Sequence, residues 1–568
     1  MSVDPSRSMA HSETALAQTV STTRKADRAQ RRQPRGVLTP AGLVALGVLA
    51  VVGCAVSLYV TRRGPLVLPD SAAYLSAAHN LVTGKGLTTA FNPATSLYHP
   101  TQAALVYGRV PLAQYGPLYP MILALVHYLG FSDNNCVRVV GLGTLVAFIV
   151  LLGMLAARFL DRRLTLVALL VPVCVAAPGW PLLGHWVNPL ALSTFALSDL
   201  LFYALVLASL LAVDAWLRVP TRGRLTVVIL FIVAAVLTRY AGVSVAAAAA
   251  CAALSEMGWD RRLRRAGALV LIGSGFAAFI GWDLINGAAF GATSPRALVF
   301  HPHGHLAQVM LHVAGPWFFP TSWPSGARSW GAVVIVTATM FVSLGGPARR
   351  WVVKESPVAV QAPLRLWRIG AFFVICYTAM LVVTRTWLDA SLAIDNRVLG
   401  PLQTVLYLLI ASIIYWAVRS RVQALRPRRW AIGAVVATAL LVWAPNLASL
   451  SSELGQVASA TPVGADIRAI PPSRFVITND SAGFYLHDGH ASILLPFRWF
   501  YTTDEVNRDF NRDIREVGRL VRQHHGIVVW SPILSPGVPS VTDLEEGAHL
   551  VITARLAHGV VILAAPPR

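Results

Sequence analysis

The sequence predicts a helical multi-pass membrane protein of about eleven spans with a small α/β domain at its carboxy-terminal end. Three observations carry this. First, 55% of the 568 residues are hydrophobic and 13% are charged, far more apolar than a soluble chain of this size. Second, the basic residues fall in short clusters between long apolar runs. Third, only residues 448–568 read as a block that could fold in water. The formal charge of +21 would suit a nucleic-acid partner, but its clustered distribution is that of cytoplasmic loops under the positive-inside rule. No nucleic-acid partner is expected. The five cysteines, Cys54, Cys136, Cys174, Cys251 and Cys376, are scattered and define no disulfide framework.

Residues 1–36 are polar and arginine-rich, with almost nothing to build a core, and are expected to form a disordered cytoplasmic tail ahead of a membrane module over 37–447. The run 39–60 is long enough to cross a bilayer, which takes about 20 residues, and lacks a small-residue cleavage signature. It reads as an anchor helix. A large first external loop follows over 64–135, with no run long enough to span. Within it Tyr74, Leu75, Ala78, Leu81 and Val82 recur at helical spacing until Gly84, and Leu118, Met121, Ile122, Leu125 and Leu129 do so after Pro117. Both stretches are expected to lie at the membrane surface. Further spans are expected at 137–157, 164–180, 196–217, 266–284, 330–345, 369–384, 399–417 and 430–447, with a hairpin in 225–255. Basic clusters at both ends of 225–255 require an even number of crossings. Its length falls short of two full spans, so the tip at Arg239 and Gly242 should sit below the outer surface. In the last block, 474–478 and 526–530 read as strands, 505–523 as a charged helix, and 550–564 as a hairpin turning near His558.

Polar residues avoid the middle of the spans, where ion-coupled carriers keep carboxylates. They gather at the ends of helices expected outside: Asp70, Asp199, Arg239, Asp283, Arg385, Asp389, Asp395 and Arg397. That distribution points to binding or chemistry at the outer surface. Asp70 follows Pro69 and precedes the first surface helix, which suits either a helix N-cap or a catalytic carboxylate. Arg239, Arg397 and Arg385 suit phosphate oxygens, or equally helix ends snorkelling to headgroups. Asp199 and Asp395 would pair with them or touch substrate, as would Tyr74, one turn after Asp70. His301, His303 and His305, in HPHGH, are candidate metal ligands, although alternating loop histidines more often bind nothing. In the last block Asp480 and His487 are candidates to contact an acceptor.

The ordered set PDSAAYLSAAHNLVTGKG at 69–86, GPLYPMILAL at 116–125, LSDLLF at 197–202, LTRYAG at 237–242 and AIDNRVLGPL at 393–402 resembles the polyprenyl-phosphate-sugar-dependent glycosyltransferases of the type C membrane fold. These include protein O-mannosyltransferases and the aminoarabinose transferases of lipid A. The resemblance implies an enzyme that moves a hexosyl or pentosyl group, with inversion, from a polyprenyl-phosphate carrier to a hydroxyl of a cell-envelope glycan, lipid or protein. The site would face outward from the plasma membrane, with the amino terminus cytoplasmic and residues 448–568 outside. It implies Asp70 as the base, matching the acidic residue of the family's first external loop. Arg239, Arg397 and Arg385 would hold the phosphate. Aminoarabinose transferases carry a lysine before the Pro-Pro-Leu-Tyr segment, where this chain has Gln114, Tyr115 and Gly116. Another basic residue, or a divalent metal as cofactor, would supply that charge. Two other readings stay open: a flippase of lipid-linked sugars, which would need a polar path and often shows repeated halves, and a non-catalytic membrane subunit.

Overall fold

A computed structural model describes residues 40–65, 67–91, 100–160, 189–256, 258–290, 300–301, 305–319, 323–345, 361–390, 392, 394–421, 470–471, 473–500, 505–532, 537–556 and 559–567. The expected tail at 1–36 and the expected spans at 164–180 and 430–447 lie outside them.

The membrane module opens with α1 (Pro40–Val60), whose apolar residues run all round the helix. Helix α2 (Pro69–Val82) follows, then a two-residue strand β1 (Thr88–Thr89), a short helix α3 (Pro100–Leu105) and β2 (Val110–Pro111), antiparallel to β1. Helix α4 (Leu118–Tyr128) lies against α2, and both fall where helical periodicity predicts them. The chain then enters α5 (Asp133–Phe159) and α6 (Asp199–Arg218). Next come the hairpin arms α7 (Arg222–Thr238) and α8 (Val243–Leu254), followed by α9 (Arg261–Phe290). The remaining helices are α10 (Leu306–Phe318), α11 (Ser325–Leu344), α12 (Gln361–Val383) and α13 (Asn396–Arg421). Among the described residues, seven helices (α1, α5, α6, α9, α11, α12 and α13) are long and apolar enough to cross a membrane.

Helix α6 is the most enclosed of the seven. Phe202, Tyr203, Val206, Leu207, Leu210, Val213 and Trp216 surround it with buried apolar bulk, the composition of a helix packed on every side. By contrast, α1, α9 and α11 keep Val51, Leu269, Ile280, Val334 and Phe341 exposed, as lipid-facing helices do. Along its axis α6 carries the chain about 30 Å from Asp199 to Arg218, so the molecule has two chemically different ends. At the Arg218 end, buried Asp214 accepts from Arg158 at 3.1 Å and Arg218 at 2.7 Å, and Glu256 accepts from Arg365 at 3.2 Å. The Asp199 end holds the candidate residues. Arms of 17 and 12 residues make the α7/α8 hairpin shorter than a full span. A tight turn, Tyr240–Gly242, joins the arms at Arg239, as the basic clusters require.

One helix has no counterpart among the expected elements: Leu306–Phe318 is helical, with Pro316 inside its last turn. It packs on α11 where Gly315 lies against Arg328.

The last block forms a five-stranded sheet from β3 (Val476–Thr478), β4 (Ile493–Leu494), β7 (Ile527–Trp530), β8 (Val551–Arg555) and β9 (Val561–Ala564), in the order β4-β3-β7-β9-β8. The first three run parallel, and β9 and β8 close one edge antiparallel. Helices α14 (Ser481–Asp488) and α15 (Phe510–Gln523) accompany it. The helix expected from 505 begins only at Phe510, because β5 (Trp499–Phe500) and β6 (Glu505–Val506) pair antiparallel ahead of it. Asn507 ends that pairing, since its amide donates to the Phe497 carbonyl at 3.0 Å and its side-chain oxygen accepts from the Asp509 N–H at 3.0 Å. The block docks on the first loop. The Ser492 N–H donates to the Ala90 carbonyl at 3.2 Å, the Tyr107 hydroxyl to the Ala491 carbonyl at 2.8 Å, and α14 lies against α2.

Candidate functional site

The first question is why Asp70 stands where it does. Pro69, with its fixed φ and missing N–H, suits the first position of α2, and Leu68 is the N-cap. The Ser71 hydroxyl satisfies the Leu68 N–H at 3.0 Å. Asp70 is therefore not the cap that its position after proline suggested. It is the second residue of the helix, in the first turn, where the helix dipole favours an anion. Its carboxylate is free for tertiary contacts and makes two: Oδ1 accepts from the Tyr115 hydroxyl at 3.0 Å, and Oδ2 from Arg397 Nη1 at 3.0 Å.

Tyr115 comes from the loop before α4, and that loop is tied to the hairpin tip. The Tyr240 hydroxyl donates to the Ala113 carbonyl at 2.7 Å, and Trp282 Nε1 to the Tyr115 carbonyl at 3.3 Å. At Gly116 the chain passes so close to the Leu237 and Thr238 carbonyls that a Cβ would overlap them. Glycine is required there for space. Burial, reinforced by the Asp70 charge, pushes the Tyr115 phenol well above its usual value, so it remains a donor to Asp70 throughout the neutral range. Tyr74, expected to touch substrate, places its hydroxyl 2.8 Å from Ser198 Oγ. Its ring stands edge-on to Tyr115 and Tyr119, both at 5.1 Å between centroids. Tyr74 thus props Tyr115 and ties α2 to the start of α6.

Asp199, one residue beyond Ser198, pairs with Arg239 at the hairpin tip. Its side chain is 2% exposed, and its Oδ2 has no hydrogen-bond partner. Arg397, in the first turn of α13, is held at the main chain. The Tyr203 hydroxyl donates to the Arg397 carbonyl and the Tyr377 hydroxyl to the Val398 carbonyl, both at 2.6 Å. Asp395 caps α13 by accepting from the Val398 N–H at 2.9 Å, and its other oxygen lies 3.9 Å from Arg397 Nε. Asp70, Asp199, Arg239, Asp395 and Arg397 thus form one charged cluster assembled from α2, α6, the hairpin tip and α13.

Arg385, in the wide helical turn Thr384–Leu388, donates to the Leu392 carbonyl at 2.9 Å and so braces the loop leading to Asp395. The His301 N–H donates to the Thr386 carbonyl at 2.8 Å, and His305 Nδ1 lies 2.9 Å from Gln308 Oε1. His303 is outside the described residues. Among the described residues, no group of three His, Cys, Asp or Glu side chains is placed to hold a metal ion. Asp480 caps α14 by accepting from the Gly483 N–H at 2.9 Å. The sequence gives no sign of Ser198, Tyr203, Tyr377 or Trp282 as supports of the site, since each acts through a fold contact rather than through a local pattern.

No protein-family model matches the chain, and no curated protein matches it in sequence. Solved structures do match in fold. ArnT from Cupriavidus metallidurans in the apo state aligns over 93% of this chain and 99% of its own, with a TM-score of 0.51 and 13% identity. The same protein bound to undecaprenyl phosphate aligns over 93% and 100%, with a TM-score of 0.53 and 12% identity. The chain therefore has the type C multi-pass fold that the motif order predicts, with its α/β block at the carboxy-terminal end.

Proposed function

We propose that this chain is a membrane glycosyltransferase that moves a sugar, with inversion, from a polyprenyl-phosphate carrier to a hydroxyl of a cell-envelope glycan, lipid or protein at the outer face of the plasma membrane. The observation that carries the reading is one carboxylate, Asp70, held between a neutral phenol and a guanidinium beside a second arginine. The fold is shared with a protein whose structure contains undecaprenyl phosphate, which supports the choice of donor. In this reading Asp70 takes the proton of the acceptor hydroxyl as that oxygen bonds to the anomeric carbon. The bond from that carbon to the phosphate oxygen breaks, and the carrier phosphate departs with the electron pair. A phosphate leaving group is already a weak base, so the second carboxyl that an ordinary glycoside needs as acid is not required.

Arg397 and Arg239 supply donors to the phosphate as charge develops on it. The Asp199 pair uses Arg239 Nη1 and leaves the other guanidinium donors for an anion. The α/β block, docked on the first loop and α2, would cover the site or select the acceptor, and the amino terminus would lie in the cytoplasm. The test is transfer by purified protein in lipid, offering labelled polyprenyl-phospho-sugars with cell-envelope acceptors to wild type and to Asp70→Asn. Labelled product from the wild type alone, with the variant folded, is the expected result. Carrier moving between leaflets with no product would replace the transferase by a flippase.

A further inference from the structure

We infer that the donor phosphate enters by exchange: it takes the Arg397 guanidinium from Asp70, so that carrier binding itself releases the base. This rests on the transferase reading and adds an order of events to it. Three carboxylates, Asp70, Asp199 and Asp395, face two guanidiniums, Arg239 and Arg397, and both guanidiniums are already paired. An incoming phosphate would add an anion to a cluster with one excess negative charge, so it competes with a carboxylate for one of them.

Burial decides which pair gives way. The Asp199 side chain is 2% exposed, and parting it from Arg239 would strand a buried charge. The Asp70 side chain is 32% exposed and keeps the Tyr115 hydroxyl on its other oxygen when Arg397 departs. Water and the phenol can both serve the freed carboxylate. The arginine is also suited to moving its head without moving its base. Its main chain is fixed by Tyr203 and its neighbour's by Tyr377, while Asp395, 3.9 Å from Nε, offers the side chain a second anion as it leaves the first. Gly400 is part of this mounting, because a Cβ there would overlap the Tyr203 hydroxyl. In the resting state both oxygens of Asp70 are engaged, Oδ1 by Tyr115 and Oδ2 by Arg397, and the exchange frees Oδ2 for an acceptor hydroxyl.

The deciding experiment is the structure of the full chain in lipid nanodiscs with and without undecaprenyl phosphate, together with the affinity of wild type and Asp70→Asn for that lipid. Exchange predicts that the bound lipid's phosphate lies within hydrogen-bond distance of the Arg397 guanidinium, which has moved beyond 4 Å from Asp70. It also predicts that Asp70→Asn, which removes the competitor, tightens binding about fivefold. An Asp70–Arg397 pair still intact with the phosphate bound overturns the inference whatever the affinities, because tighter binding could then reflect lost repulsion alone. Unchanged or weaker binding to Asp70→Asn overturns it as well. Undecaprenyl phosphate that fails to bind the wild type at all would count against the transferase reading itself. If Asp70→Asn does not fold, the wild-type pair of structures still decides.

Discussion

Two aspartates of the cluster look alike in sequence, and the structure gives them opposite energetic roles. Asp199 is enclosed and holds Arg239, whereas Asp70 is about a third exposed and holds Arg397 together with Tyr115. Removing one member of a buried pair leaves its partner charged without compensation and costs about 3–5 kcal/mol. Removing one member of a solvent-screened pair costs about 1 kcal/mol or less. Asp199→Asn should therefore destabilise the protein by about 3 kcal/mol, at the low end because the Arg239 side chain is itself 24% exposed. Asp70→Asn should leave stability almost unchanged, and its loss of Asp70 does not touch a cap, since Leu68 is the N-cap. Thermal unfolding of both variants in nanodiscs measures this, and equal losses of Tm would mean that burial does not separate the two pairs. Asp70, Arg239 and Arg397 were legible as candidates because ionisable side chains at apolar helix ends demand a reason. Their pairing was not legible, because Asp70 meets Tyr115 from 45 residues away and Arg397 from 327, and neither distance leaves a periodic trace.

At the scale of elements, the hairpin and the loop before α4 behave as one unit. Leu237 and Thr238 at the end of α7 press on Gly116, and Tyr240 reaches Ala113. The position of Tyr115, and through it of Asp70, therefore depends on the glycine next to Tyr115 in the chain. Gly116→Ala would put a Cβ 2.7 Å from the Thr238 carbonyl oxygen and closer still to that of Leu237. Backbone cannot rotate away as a flexible side chain would, so the tip or the loop has to shift, at about 1–3 kcal/mol. The expected outcome is a modest fall in Tm with a much larger loss of transfer, while Gly143→Ala in α5, where a Cβ meets nothing, should leave both intact. Transfer that survives Gly116→Ala would separate the hairpin from the geometry of the site. The hairpin could be read from charge clusters at both ends of a run too short for two spans, a constraint set by the bilayer. Helix α10 was not read from the sequence, because its 13 residues fall short of a span and Pro316 lies within it.

Across the whole molecule, hydropathy revealed the membrane module because lipid forces every spanning segment to be apolar and helical. The α/β block has no such constraint. Its strands were recognisable, but the order β4-β3-β7-β9-β8 and the seat on the first loop follow from packing that no single strand encodes. One contact in that seat carries a pH dependence. Glu516 on α15 accepts from the Thr101 hydroxyl on α3 at 2.7 Å and from Arg519 at 2.6 and 2.8 Å. Arg519 chiefly, with Thr101 adding and burial opposing, holds the Glu516 carboxyl below the usual carboxylate range. A carboxyl depressed in the folded state takes up protons less readily there than in the unfolded chain. The stability it contributes is therefore complete above the unfolded value, about 4.3, and is lost as pH falls through the lower folded value. Solvent at this site and the exposed Arg519 keep the contribution small. Glu516→Gln removes the charge at every pH, so its Tm should lie below wild type near pH 7, and the two should converge as pH approaches about 3. Two Tm curves that stay parallel over that range would mean that the charge of Glu516 contributes nothing to holding the α/β block on the loop that bears Asp70.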